Sequence, residues 1–292
     1  MAAGTERPLL KWVGGKADHA GAVLDALPAE VAAFHEPFLG GGAILLEALA
    51  RIGAGRLRVL GGIYASDANE GLVNFWEVVQ KEPARLLEAL APFVEEHRAQ
   101  TDETGRAAHY YRAREALRSG EGDAAARAAV FLFVNRTCFR GLYREGPRGF
   151  NAPFGHYAAP AFPSAAHVFR VSCLVQPVVF RAQDFTAALA EAGPGCAVYL
   201  DPPNACADGA PSPSFTRYLR NDFDEERQRE LFDEARRLRS LGAAVALSNA
   251  NAQVVRDAFP APDWEATPLI ARRRITPKRP GAVAPELLVR SV

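Results

Sequence analysis

The chain has 292 residues, 49% hydrophobic and 23% charged, and its 34 basic and 34 acidic side chains balance to a formal net charge of zero. Such a composition belongs to an ordinary folded protein of one large domain, or of a domain carrying an insertion, and excludes disordered, collagen-like and disulfide-stapled classes. No uncharged apolar run approaches the roughly 18 residues needed to span a bilayer, so no membrane association is expected.

The opening residues, MAAGTERPLLKWVGGK, hold neither an apolar core nor a cleavage site of the secretory kind. Cys138, Cys173, Cys196 and Cys206 show no CxxC spacing and read as reduced thiols rather than as bridges or a zinc site. A metal-free, monomeric protein of the cytoplasm is the expectation. Zero net charge does not advertise a nucleic-acid partner, but the distribution is uneven. Arg136, Arg140, Arg144 and Arg148 are interrupted by one acid, Glu145, while Arg272, Arg273, Arg274, Lys278 and Arg279 follow one another with none. Two basic patches on a neutral body suit a grip on phosphates; a solvated arginine-rich surface also accounts for them.

In chain order, short apolar runs alternate with helical patterns, as in a mostly parallel sheet covered by helices. Residues 31–38 predict a strand, then a glycine turn and a helix in AILLEALARI (43–52). Residues 56–67 predict a second strand ending on Asp67. The stretch 81–172 breaks the rhythm: it is helical to about Val134, then NRTCFRGLYREGPRGFNAPFGHY (135–157) is dense in Gly, Arg and aromatics without helical period, as in a hairpin or extended loop. Further strands are expected at 174–184, 196–201 and 243–249, with 285–292 closing the sheet and amphipathic helices at 223–241 and 251–258. The expected fold is α/β and Rossmann-like, formed by 1–80 and 173–292, with 81–172 inserted as a helical and hairpin domain.

Three segments carry chemistry. EPFLGGGA (36–43) joins a strand to a helix through three glycines, which let backbone approach a ligand and expose the helix N-terminus. With Asp67 at the next strand tip to accept from a ribose, this fits a plain tight turn, a nicotinamide dinucleotide site or another adenosyl cofactor. VYLDPPN (198–204) is sharper. An apolar strand runs into Asp201, and Pro202 and Pro203 fix the backbone and remove two N–H donors at the carboxyl edge of the sheet. A carboxylate beside backbone carbonyls can take both hydrogens of an aromatic amine and favour a pyramidal nitrogen whose lone pair points at a methyl donor. An ordinary Asp-Pro-Pro turn is the plain alternative. LLKWVGGK (9–16) puts Trp12 and Lys16 around a Gly-Gly turn, either a surface turn or a flap over a cofactor.

Taken together and in order, LLKWVGGK, EPFLGGGA, YASDAN (64–69), NRTCFRGLYR with GFNAPFG, QDF (183–185), YLDPP (199–203), SFTRY (214–218) and RRRI with PELLV resemble the Dam family of DNA adenine-N6 methyltransferases over nearly the whole chain. The resemblance implies a Rossmann-like methyltransferase fold, S-adenosylmethionine as donor and double-stranded DNA as substrate. By it, Trp12 and Lys16 contact the donor; Phe38, Gly40 and Gly42 belong to the loop that admits its methionine part; Asp67 binds the ribose; and Asp184 and Phe185 flank the adenine. Asp201, Pro202, Pro203 and Asn204 form the catalytic tetrad, with Asp201 also beside the donor. Arg136, Arg140, Arg144, Arg148 and Asn151 are DNA ligands, and Phe139 and Leu142 are wedges that fill space when the base leaves the duplex. His156 stands where relatives often carry Arg, which implies a different recognition sequence.

Two residues depart from the family pattern. The tetrad normally ends in Tyr, whose ring stacks on the extruded base; Asn204 offers no ring, a loss on the order of 1–3 kcal/mol, although Phe215 or Tyr218 can offer a face. Arg140 replaces a small amide. An N4-cytosine methyltransferase needs the same acceptor geometry, though a first-position Ser is its commoner mark, and a DNA- and donor-binding homologue impaired by Asn204 is the other alternative.

Overall fold

The computed structural model describes residues 5–203, 223–272 and 283–292. Its centre is a seven-stranded sheet of β1 (Phe34–Glu36), β2 (Ile63–Asp67), β3 (Val178–Ala182), β4 (Ala197–Leu200), β5 (Ala244–Ala250), β6 (Trp264–Arg272) and β7 (Val283–Ser291), in the order β3-β2-β1-β4-β5-β7-β6. The first five strands are parallel to their neighbours; β7 runs antiparallel to β5 and to β6. Alternating side chains explain the layers. Phe34, Ile63, Ala65, Val178, Phe180, Ala197 and Tyr199 enter one core, while Val198, Leu200, Val245, Leu247, Leu287 and Val289 enter the other. The chain leaves β1 toward β2 on one side and returns to β4 on the other. This reversal opens a crevice beyond the carboxyl ends of β1 and β4, where open α/β sheets bind ligands.

On the first face lie α1 (Ala20–Asp25), α2 (Ala43–Gly53), α3 (Glu70–Lys81) and α7 (Ala165–Leu174); the second face carries α8 (Phe185–Ala190), α9 (Glu225–Ser240) and α10 (Gln253–Ala258). Between α3 and α7 run α4 (Pro83–Ala99), α5 (Glu103–Ser119) and α6 (Ala124–Thr137). Helix α6 is apolar all round, from Ala128 through Val134, because α3, α4 and α5 surround it. Its Phe131 and Phe133 share one core with Phe34 and Leu45 of the sheet side. After α6 come a short 3-10 turn (Phe139–Gly141), a two-residue hairpin pairing Glu145–Gly146 with Gly149–Phe150, and a bridge from Cys138 to Phe154.

The elements depart from the sequence expectation in four places. Neither 31–38 nor 56–67 is one strand: Glu30–Val31 pairs with Arg58–Val59 in a separate two-stranded sheet, and only Phe34–Glu36 and Ile63–Asp67 join the main one. The start of the strand expected at 174–184 is the end of α7, a helix begun by the Ser164 hydroxyl accepting from the His167 N–H. Strand β6 was not anticipated, since Pro268 stands at its centre; at the sheet edge a missing N–H is tolerated. Helix α10 is only six residues long, shorter than expected. Among the described residues no helix is long and apolar enough to cross a membrane.

The hairpin is anchored from below by Tyr110 of α5, fully buried, whose hydroxyl donates to the Ala152 carbonyl at 2.8 Å. Tyr110→Phe should leave that carbonyl unpaired and cost about 1–3 kcal/mol; urea denaturation measures it, and an unchanged midpoint would mean the contact contributes nothing.

Candidate active site

The glycine loop leaves β1 at Glu36 and enters α2 through Gly42, whose φ of 71° only glycine adopts without strain. Packing supplies a second reason for these glycines. A Cβ on Gly40 would lie 2.8 Å from Trp12, and one on Gly42 2.5 Å from Trp76. Trp76 lies beneath the loop and donates its indole N–H to the Gly40 carbonyl at 3.2 Å. The other indole, Trp12, is wedged between the loop and Tyr143 of the hairpin region, with ring centroids 5.4 Å apart.

Asp67, at the tip of β2, closes the next wall. One carboxylate oxygen accepts from the Gly40 N–H at 3.1 Å and the other from the Asn69 N–H at 3.0 Å. Burial pushes this carboxyl up to about 6 against the opposing pull of the Asn69, Gly40 and Ala68 N–H groups. Beyond β3, Asp184 caps α8, accepting from the Thr186 N–H at 3.0 Å and hydroxyl at 2.8 Å, and pairs with Arg227. Burial opposes ionisation there, but Arg227 and Thr186 prevail and hold the carboxyl below its ordinary range. Phe185 is buried against Phe38 and Phe223, with centroids 5.6 and 5.8 Å away, so three rings form an aromatic wall. The carboxylate of Asp184 thus serves helix and ion pair, and the ring beside it is Phe185.

Asp201 follows β4 directly. The buried Lys16 ammonium donates to it at 2.7 Å, donates to the Gly14 carbonyl at 3.0 Å, and lies 3.6 Å from Glu286 of β7. Burial works against the Lys16 charge, yet Asp201 and Glu286 outweigh it and raise the ammonium above its ordinary value. For Asp201 the balance goes to burial, which raises its carboxyl despite Lys16, with Glu286 adding to the rise. At the end of β1, Glu36 is buried, and one of its oxygens has no hydrogen-bond partner among the described residues. Burial and then the carboxylates of Asp201 and Asp67 raise it well above the ordinary range. Two acids, Asp201 and Glu286, thus converge on one buried cation, and Glu36 feels the charge of Asp201 beside them.

The expected DNA ligands divide into two groups. Arg136 is half-buried and gives two N–H groups to the Leu9 carbonyl, so its guanidinium is engaged inside the protein, contrary to a free DNA ligand. Phe139 and Leu142 are half-buried, and Arg140, at a left-handed φ of 56°, lies over the Phe139 ring. Exposed Arg144 clasps Asn151 across the hairpin, donating to its side-chain oxygen at 2.6 Å. Arg148 is exposed at the turn. His156 is exposed, has a φ of 59°, and pairs through Nδ1 with Glu103 at 2.8 Å. Asn204, Phe215, Tyr218, Arg273, Arg274, Lys278 and Arg279 lie outside the described residues, as does the Arg272 side chain.

Residues 12–269 match the family described as D12 class N6 adenine-specific DNA methyltransferase. The chain belongs to this family. Among curated relatives, the type II methyltransferase M.MjaIII of Methanocaldococcus jannaschii is 33% identical, aligned over 83% of this chain and 84% of its own. The DNA adenine methylase of Escherichia coli K12 is 29% identical, over 86% of this chain and 83% of its own. The DNA N-6-adenine-methyltransferase of Escherichia phage P1 is 32% identical over 95% of this chain, which spans only 34% of that longer protein. The solved rRNA methyltransferase aviRa of Streptomyces viridochromogenes, at 18% identity and a TM-score of 0.35 over 94% of this chain and 83% of its own, is too slight a likeness to carry weight.

In this D12-class chain the crevice also gathers residues that pattern reading passes over. Glu36, Glu286 and Gln228 are polar positions within apolar runs or stripes. Lys11 lies with its ammonium 4.5 Å over the Tyr157 ring, and its backbone exchanges two hydrogen bonds with Asn135. Among the described residues no group of three or more His, Cys, Asp or Glu is arranged to hold a metal ion.

Removing one partner of a buried ion pair strands the other. Lys16→Met should therefore cost about 3–5 kcal/mol of stability. The sign with pH follows from Asp201: without the ammonium its folded-state pKa rises further above the unfolded value. The deficit should be largest at alkaline pH and shrink as pH falls and the carboxyl protonates. Denaturant melts of parent and variant across pH 5–9 measure this; a deficit independent of pH would contradict it.

Proposed function

We propose that the protein transfers the methyl group of S-adenosylmethionine to N6 of adenine in double-stranded DNA. The observation that carries this reading is Asp201, set at the carboxyl end of β4 before two prolines, in the crevice shared with the glycine loop and Asp67. Family membership supports the reaction class.

The donor is a zwitterion with a sulfonium, an aromatic base and a ribose diol, and the crevice suits each part. Asp67 accepts from N–H groups of the glycine loop and of its own strand end, and a carboxylate's remaining lone pairs can take ribose hydroxyls. Half-buried Phe38 and Phe223 offer faces for the adenine, with the buried Phe185, its ring covered by Arg227, packed behind them. Glu36 brings a buried oxygen, without a hydrogen-bond partner among the described residues, where a cationic group would be welcome. Lys16 complements a carboxylate. When bound, S-adenosylmethionine supplies an electrophilic methyl group.

Asp201 and a carbonyl of the Asp-Pro-Pro segment then accept the two amine hydrogens. They would orient the nitrogen lone pair at the donor's methyl carbon and stabilise the positive charge that grows on nitrogen as the N–C bond forms and the S–CH3 bond breaks, its electron pair returning to sulfur as a neutral thioether. The proton released from N6 passes by way of Asp201 toward solvent. Residues 1–80 and 173–292 serve donor binding and catalysis in this reading, and 81–172 serves target recognition. The exposed Arg144, Arg148 and His156 meet the duplex, while Phe139 and Leu142 stand near the space an extruded base vacates.

Methyl incorporation into random-sequence duplex, followed by mass spectrometry of the nucleosides, tests the proposal. N6-methyladenine is expected from the parent and none from Asp201→Ala. N4-methylcytosine in its place would reassign the base, and full activity of Asp201→Ala would overturn the mechanism.

The Asp67 carboxyl, at about 6, gives donor binding a pH dependence. An acid with a raised pKa is ionised above that value, so acceptance of both ribose hydroxyls is complete above pH 6 and lost below it. Affinity for S-adenosylmethionine measured calorimetrically should fall between pH 7.5 and pH 5, with proton release on binding near pH 6. In Asp67→Asn this dependence should vanish; a flat profile in the parent would remove Asp67 from the donor site.

A further inference from the structure

Helix α9 turns a regular stripe toward the second core: Leu231, Phe232, Ala235 and Leu238 are all buried. One turn earlier, the same stripe carries Gln228, buried to 5% exposure. An amide at a position whose period calls for leucine costs free energy unless its hydrogen bonds are met, and here they are. Its Nε2 donates to the Pro203 carbonyl at 2.6 Å, and its Oε1 accepts from Asn249 Nδ2 at 3.3 Å. Asn249, fully buried on β5, accepts in turn from the Ala250 N–H at 2.8 Å through Oδ1.

The orientation of this chain is forced from both ends. A backbone N–H can only donate and a carbonyl can only accept, so each amide has one permitted direction. The chain ends on the last described residue of the Asp201-Pro202-Pro203 segment. Neither proline has an N–H, so the segment cannot be pinned through backbone donors of its own there. Outside donors can hold it instead: Lys16 does so at the Asp201 carboxylate and Gln228 at the Pro203 carbonyl.

We propose that Gln228, oriented by Asn249, is a positioning residue for methyl transfer: it clamps the Pro203 carbonyl and so holds Asp201 and the Pro202 carbonyl at the angle the target amine requires. The proposal rests on the amine-methylating function above. Gln228 touches neither donor nor amine in this scheme. It acts through the segment, so its loss should lower turnover and leave donor binding alone.

The experiment uses the full chain and compares the parent, Gln228→Leu and Gln228→Glu. Steady-state methyl incorporation is measured on duplex DNA, with calorimetric S-adenosylmethionine affinity and a thermal melt for each protein. Gln228→Leu fits the apolar stripe and should stay folded. Its kcat should drop about ten- to a hundredfold, the scale of a small misplacement of reacting groups, while donor affinity stays within twofold. Gln228→Glu regains a donor only when protonated, which burial favours, so its kcat relative to the parent should rise as pH falls from 8 to 6. An active parent whose folded Gln228→Leu variant keeps kcat within twofold would overturn the role and leave the function standing. A Gln228→Leu variant too unstable to assay leaves the pH profile of Gln228→Glu to decide, a flat ratio overturning the role. A parent that methylates no DNA would remove the function and this role together.

Discussion

One buried ammonium organises the crevice. Lys16 reaches Asp201, Glu286 and the Gly14 carbonyl from a segment with no regular secondary structure. Three acids from three parallel strand ends, Glu36, Asp67 and Asp201, meet near the switch point of the sheet, and Glu286 of β7 joins them. Such a concentration of like charge is unfavourable in a partly desolvated site. Burial is the first cause of the raised carboxyls, like charge adds to it at Glu36 and Asp201, and Lys16 is the counter-charge that limits the rise at Asp201. The fold tolerates the cluster because the crevice lies where the adjacent strands β1 and β4 send their connections to opposite faces of the sheet.

The segment that delivers Lys16 also laces the rest of the molecule together. Leu9 accepts from Arg136, Lys11 exchanges two bonds with Asn135, and Trp12 lies between the glycine loop and Tyr143. Three successive contacts therefore tie the end of α6 to the loop beside Asp67 and Asp201. A DNA-facing hairpin and a catalytic crevice on separate supports would need to be aligned at each encounter. Here Phe131 and Phe133 of α6 share the core of the sheet, and the N-terminal segment closes the remaining gap. Arg136 is better understood as part of this lacing than as a phosphate ligand.

Much of this was legible in the residues, for a physical reason. Asp67 and Asp201 end apolar runs, and a charged residue closing a buried strand marks the edge where ligands bind. The glycine loop was legible as close approach, but the sequence does not say that Trp12 and Trp76 fill the approached space. What escaped were polar residues whose partners come from distant segments. Glu36 sits between Phe34-His35 and Pro37-Phe38, Glu286 precedes Leu287-Leu288-Val289, and Gln228 lies on an apolar stripe. Each looks like a fault in a pattern until its surroundings are known: Lys16 beside Glu286, Asn249 and Pro203 beside Gln228, and the carboxylates of Asp201 and Asp67 near Glu36. The stripe position of Gln228 was the one usable signal, because a buried amide on a core-facing helix stripe must be bonded to something. Strand β6 and helix α7 escaped for the opposite reason, since their local patterns are weak and tertiary pairing decides them.

The two supports of the catalytic segment differ in kind, and the difference suits their tasks. Lys16 holds Asp201 by charge, a non-directional attraction that a ligand carrying its own charges can compete with or redirect. Gln228 holds the Pro203 carbonyl by a neutral, directional hydrogen bond from a buried position on α9, beside the second core. A methylating site must release its acceptor carboxylate to an incoming amine without losing the geometry of the backbone beside it. A charge pair at the front and an amide clamp at the back meet both demands. Exchanging them would not: an ion pair behind Pro203 would bury charge with no function, and an amide before Asp201 would leave its carboxylate without the counter-charge that limits the repulsion of Glu36 and Glu286.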